Sequence, residues 1–349
     1  MSPCFLVSAS FAVNLRRFLT LLFSFLITAL FLALALYRVD FAKLAHTFVS
    51  ADYRLVFFAA CCWLGGYVLR TARWQKFLSP TKHVPFIRLF PVLIIGFAFN
   101  NLLPGRPGEL VRAYLLGTRE GLSKTMGLAT VVAERVADGI AVIVFLLLAL
   151  GAFIPLHLEL PAGVQAIAAL SAILFGGALV GLGFLLVRED IALTILRWFT
   201  RVLPRALATR IEKTLNSFVV GLHSFKSAGD VAEIALLSLG VWCLDSLAYF
   251  AMLSAFGALP DVTLRAVAAP MMTGIINLGV MIPAAPGGLG PYEAAGVFAL
   301  SAFGVNETTA ASVALAAHAA QYFMITGLGL FFIWRTGISL AQPRAASDE

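Results

Sequence analysis

Charge is scarce in this chain: Asp, Glu, Lys and Arg together make up 12% of its 349 residues, about half the share of an ordinary soluble domain. So few charges cannot cover a water-facing surface. Cysteine is scarcer still, and Cys4, Cys61, Cys62 and Cys243 show neither Cys-x-x-Cys nor Cys/His spacing suited to zinc, so they read as small core residues. No nucleophile triad, P-loop, dinucleotide fingerprint or metal constellation occurs. Pro286-Gly287-Gly288-Leu289-Gly290 lacks the Lys and Ser/Thr of a Walker motif. With no site for ATP or another cofactor, the expectation is a protein that is not an enzyme.

What is abundant is apolar. Hydrophobic residues make up 60% of the chain and the mean hydropathy is +0.93, the composition of an integral membrane protein. Spans of about 20 residues consume most of the length, leaving no room for a soluble catalytic domain. The net charge of +7 belongs to cytoplasmic loops and anionic headgroups before nucleic acid.

Hydropathy and charge order the spans. Arg16 and Arg17 precede an apolar run from Phe18 to Leu36, too long for a signal-peptide core and read as a retained first span despite Ala33-Leu34-Ala35. A mixed-charge stretch from Arg38 to Arg54 leads to a second span, Leu55 to Leu69. Arg70, Arg73, Lys76, Lys82 and Arg88 follow without an acidic residue between them, which places this loop and the N-terminus in the cytoplasm. Leu89 to Leu103, the turn after it and Leu110 to Leu116 fit a re-entrant hairpin, which must line protein or a wet cavity. A third span runs from Thr125 to Ile154, the Pro155 to Pro161 turn is external, and a fourth span runs from Gly163 to Val187. Residues 188–230 carry Arg197, Arg201, Arg205, Arg210 and Lys213 at near-helical spacing, an amphipathic cytoplasmic connector. A fifth span, Val231 to Phe256, a second hairpin (Ala266 to Ile282, then Tyr292 to Phe303) and a last span, Thr308 to Trp334, leave Arg335 and Arg344 inside. The expected fold is all-α and polytopic: about six full spans and two re-entrant helical hairpins, one transmembrane domain over residues 1–349.

The two hairpins are related. Gly108 aligns with Gly290 at an offset of 182, and Ala129, Ala133 and Arg135 fall on Ser312, Ala316 and His318 at 183. The halves, about 18–160 and 162–335, therefore form a repeat. Three full spans per half would invert the second half, and broken helices at corresponding positions suggest a membrane carrier.

Few residues remain to carry function. An ionisable side chain at the centre of a span costs about 2.5 to 3.5 kcal/mol on insertion scales. Glu134 and Asp138 share one helix face, while Arg135 points away from it and is expected to pair with another helix, with Asp245 as the partner. This set reads either as a structural ion-pair network or as a site for a headgroup or a proton. In the Pro-Gly turns, Gly287, Gly288 and Gly290 allow close backbone approach to phosphate, and Arg106 and Arg112 would add charge-assisted bonds. Glu109 and Glu293 follow the turns, where a carboxylate can equally stabilise a helix start. His318 is either a hydrogen-bonded core histidine or a proton carrier.

Asn100-Asn101, Pro104-Gly105-Arg106-Pro107-Gly108-Glu109, Arg112-Ala113, Glu134-Arg135, Asp138-Gly139, and Pro286-Gly287-Gly288-Leu289-Gly290 with Glu293 together resemble the transmembrane flippase domain of lysylphosphatidylglycerol synthases. The resemblance covers nearly the whole chain. It implies a bacterial or archaeal inner-membrane protein that moves an anionic or modified phospholipid, or a polyprenyl-phosphate-linked lipid, between leaflets. The bifunctional synthases carry a soluble aminoacyl-transferase domain, whereas this sequence stops fifteen residues after Trp334, so lipid aminoacylation is not expected. The reading is therefore a flippase-like protein whose partners are anionic membrane lipids. A lipid-modifying enzyme using Glu109 or Glu293 as general base, and a scaffold holding a lipid-synthesis enzyme through residues 188–230, are the alternatives.

Overall fold

The computed structural model describes residues 22–152 and 228–337 other than 283, with four isolated helical positions between them. The Pro155 to Pro161 turn and both chain ends lie outside the described residues, as do nearly all of the expected fourth span and connector. The described residues are helical, with no strand among them. In chain order the helices are α1 (Leu22–Leu36), α2 (Phe41–Val49), α3 (Tyr53–Leu78), α4 (Phe86–Leu102), α5 (Gly108–Glu120), α6 (Lys124–Gly151), α7 (Ala228–Ala255), α8 (Val262–Gly279), α9 (Pro291–Ser301) and α10 (Glu307–Thr336).

Four of these, α3, α7, α8 and α10, are long and apolar enough to cross a membrane, and α1 with α2 makes a fifth if the pair, bent by 81°, counts as one span. The 28-residue α6 has the length but carries Glu134, Arg135 and Asp138. Helix α2 arises inside the stretch read from sequence only as mixed charge. The Asp40 carboxylate caps it by accepting from the backbone N–H groups of Ala42 and Lys43.

The second span required correction. It does not end at Leu69: α3 continues to Leu78, which takes Arg70 and Arg73 out of the expected loop and into a helix. Arg73 is 1% exposed. The helix continues because both guanidinium groups meet carboxylates from other helices, the condition for keeping charge at membrane depth.

Lipid tails are as apolar as leucine, so close packing at small residues holds such helices together. Helix α3 lies along α7, where Gly66 leaves room for Asp245. Helix α4 packs on α10, and α8 packs on α6. Each hairpin thus leads with its first arm against the long helix of the other half. Within the first hairpin Gly108 lies so close to Gly96 that a methyl group at Gly108 would strike the Gly96 carbonyl oxygen. In the second, Gly279, which is 183 residues after Gly96, plays the same part: a Cβ there would lie 2.6 Å from that of Ala295 on α9.

Candidate functional site

The two turns are built differently. At the first, the Asn100 side-chain oxygen accepts the Gly108 N–H at 2.7 Å, closing α4 onto the start of α5. At the second, Gly287, Gly288 and Gly290 have φ of +75°, +76° and +93°, open to glycine at no steric cost. Glu293 Oε2 accepts the Gly290 N–H at 2.7 Å, and Thr28 of α1 accepts the Ala285 N–H at 2.8 Å.

Both turns border a cavity of about 460 Å³ between the halves. Of the fourteen residues singled out from sequence, Asn100, Asn101, Arg106, Glu109, Arg135, Asp138, Asp245, Gly287 and His318 line it. Gly288, Gly290 and Glu293 stand behind its wall. Arg112 and Glu134 likewise lie outside its lining. These two are almost fully buried and pair with each other at 2.7 Å, with the Arg112 guanidinium 4.1 Å from the centre of the Trp74 ring.

An ion-pair network forms the charged wall. Arg70 bridges Asp245 at 2.8 Å and Asp138 at 3.4 Å. Arg73 donates to Asp138 at 2.8 Å and to Ser238 at 3.0 Å. Arg135 reaches Asp138 at 3.3 Å, without hydrogen-bond alignment, and Glu109 at 4.0 Å. The expected Arg135–Asp245 pair is therefore replaced by Arg70–Asp245. Sequence reasoning missed Arg70 and Arg73 because they read as loop charges. It also missed an aromatic lining of Trp63, Tyr67, Phe97, Trp242, Tyr249 and Tyr322.

Arg106 differs from the other arginines. It makes no ion pair among the described residues, yet it lines the cavity. It is also the one described non-glycine residue with positive φ, at +52°, a conformation costing about 1 to 3 kcal/mol. The cavity is lined by three arginines (Arg70, Arg106, Arg135) and three carboxylates (Glu109, Asp138, Asp245), and Arg106 is the base among them without an ion pair among the described residues.

Helices long and apolar enough to span a bilayer, packed around a polar cavity, define a multi-pass membrane protein. Residues 21–329 match the family described as the lysylphosphatidylglycerol synthase TM region, and the chain belongs to that family. It is 27% identical to a UPF0104 membrane protein of Methanothermobacter thermautotrophicus over 73% of this chain and 77% of that protein. It is 26% identical to one of Pyrococcus horikoshii over 80% and 87%. A third relative, the glycosyltransferase AglD of Haloferax volcanii, is 25% identical over 95% of this chain and 57% of that protein. No solved structure gives a significant match.

Proposed function

We propose that the protein moves an anionic lipid between the leaflets of the cell's inner membrane, holding the headgroup in the cavity between the hairpins and leaving it chemically unchanged. The observation that carries this reading is Arg106: a guanidinium without an ion pair among the described residues, held in a strained backbone conformation, on the wall of a polar cavity. A guanidinium fork matches phosphate oxygens, and strain of this kind persists where the surrounding structure imposes it for use. The aromatic lining suits the apolar flank of a headgroup entering from lipid.

The proposed architecture is six full spans and two re-entrant hairpins in inverted halves, with both termini cytoplasmic. Lys82 and Arg88 still form a basic loop without acid after α3, with Lys76 in the last turn of that helix, which supports that orientation. The reciprocal packing of α4 on α10 and α8 on α6 is what a two-fold relation between halves requires.

Binding is read from the fluorescence of Trp63 and Trp242, which line the cavity, as short-chain lipids are titrated into detergent-solubilised protein. Phosphatidylglycerol is expected to change the signal at lower concentration than phosphatidylcholine. Arg106→Gly should weaken phosphatidylglycerol binding by about tenfold to a hundredfold, the worth of a hydrogen bond to a charged group. It should not destabilise the fold, because glycine accepts the positive φ. Equal affinity in wild type and variant would remove Arg106 from the site.

A further inference from the structure

The carboxylates of the network were natural candidates for a coupling proton, but Glu134, Asp138 and Asp245 are each held by arginine. Arginine does not release its proton, so no base in these pairs titrates. Glu293 is different, because the base against it is a histidine, the side chain whose charge changes near neutral pH.

His318 and Glu293 are nearly fully buried, with Nδ1 of the ring 2.5 Å from Oε1 of the carboxyl. Nε2 lies 3.1 Å from the carbonyl oxygen of Gly287, which can only accept, so Nε2 carries a hydrogen. Oε2 of Glu293 is already taken by the Gly290 N–H. The remaining Nδ1–Oε1 contact therefore needs one proton, placed on either atom. Without it, either a ring lone pair faces carboxylate lone pairs at 2.5 Å and this contact opens, or the ring hydrogen moves to Nδ1 and the Gly287 bond is lost. Each member of the pair also holds one glycine of the second turn, Gly287 through the ring and Gly290 through the carboxyl.

The two halves make the point sharper. Arg135 is the counterpart of His318 in the repeat, and it too faces the carboxylate at the start of the return helix, Glu109, at 4.0 Å with both side chains well exposed. The first hairpin carries a base that does not titrate, held loosely. The second carries a histidine, held tightly.

We infer that His318 and Glu293 form a proton-binding site that latches the second turn: one shared proton ties the ring that holds Gly287 to the carboxyl that holds Gly290, closing the turn over the cavity, and loss of that proton breaks this chain of bonds and lets the turn open. The groups facing the pair are compatible with it. Tyr292 of α9 stacks on the imidazole with centroids 4.2 Å apart and hydrogen-bonds Tyr249 of α7 at 2.8 Å. Tyr322 meets the ring edge-on from the same helix. Across the cavity stand Asp245, Arg70, Asp138, Arg135, Arg106 and Glu109. The use of the latch in transport rests on the proposed function, whereas proton binding rests on the pair's own geometry.

The test reads the turn directly. Ala285, which is buried beside it, is replaced by cysteine in a protein whose native cysteines are replaced by alanine, and thiol labelling is followed from about pH 5 to about pH 8, where histidine titrates. The rate is divided by that of Tyr37→Cys, an exposed position, to remove the pH dependence of thiol chemistry. The normalised rate should rise with pH, by at most about tenfold per pH unit for one proton. Glu293→Gln, whose amide N–H satisfies Nδ1 without a shared proton, should be slow and flat, as should His318→Gln, which keeps a donor toward the carboxylate. A flat profile in the otherwise unaltered protein, which needs neither variant to fold, would overturn the inference. So would an unchanged slope in a folded variant. A pH-dependent turn in a protein that moves no lipid supports the latch while refuting transport.

Discussion

Asp138→Asn will destabilise the protein by about 3 to 5 kcal/mol, the cost of leaving a buried charge without its partner, and far more than Asp245→Asn. Three arginines converge on Asp138, and they do not lose equally. Arg70 keeps Asp245 at 2.8 Å, and Arg135 is half exposed with Glu109 nearby. Arg73, at 1% exposure, keeps only the Ser238 hydroxyl at 3.0 Å. Asp245→Asn instead leaves Arg70 with Asp138 still at 3.4 Å. Equilibrium unfolding in mixed micelles ranks the two variants, and equal stability would show that the network is not organised around Asp138.

The second large effect is non-additive. Glu134→Met and Arg112→Met should each destabilise by about 3 to 5 kcal/mol, because each leaves the other charge buried and unpaired, whereas the double variant should come close to wild type. The pair is incompletely satisfied: Nε and Nη2 of Arg112 and Oε1 of Glu134 have no hydrogen-bond partner among the described residues. A half-satisfied buried pair contributes little over apolar side chains of similar volume. Since both residues lie behind the cavity wall, the double variant should also keep its affinity for phosphatidylglycerol. A double variant as unstable as the sum of the singles would mean the pair serves something beyond neutralising itself.

The hairpins were legible because Pro-Gly turns beside short apolar runs have few alternatives, and α4, α5, α8 and α9 lie within a few residues of where the pattern placed them. Arg70 and Arg73 were not legible. A basic residue normally ends a span, and what keeps these two inside a helix are carboxylates 65 to 175 positions away in sequence. The same distance hid partner choice: Arg112, Arg135 and Asp245 were all recognised as unusual, yet only packing of the helices decides which acid faces which base. The aromatic lining was hidden for another reason. In a chain with 29 phenylalanines, helical spacing cannot tell a ring that faces the cavity from one that faces lipid.

In the proposed function a phosphate-bearing lipid passes through the cavity and is gripped by Arg106. The most direct measurement is leaflet-resolved movement in proteoliposomes, offering phosphatidylglycerol, its aminoacylated form and a polyprenyl phosphate. A lipid-linked sugar joins them because one relative is named a glycosyltransferase. Wild-type protein is expected to move at least one phosphate-bearing lipid but not phosphatidylcholine. Arg106→Gly, folded and at least as stable, should move that lipid about tenfold or more slowly, in line with the loss of one charged hydrogen bond. Movement of no lipid by folded wild-type protein, or equal rates in the two proteins, would contradict it.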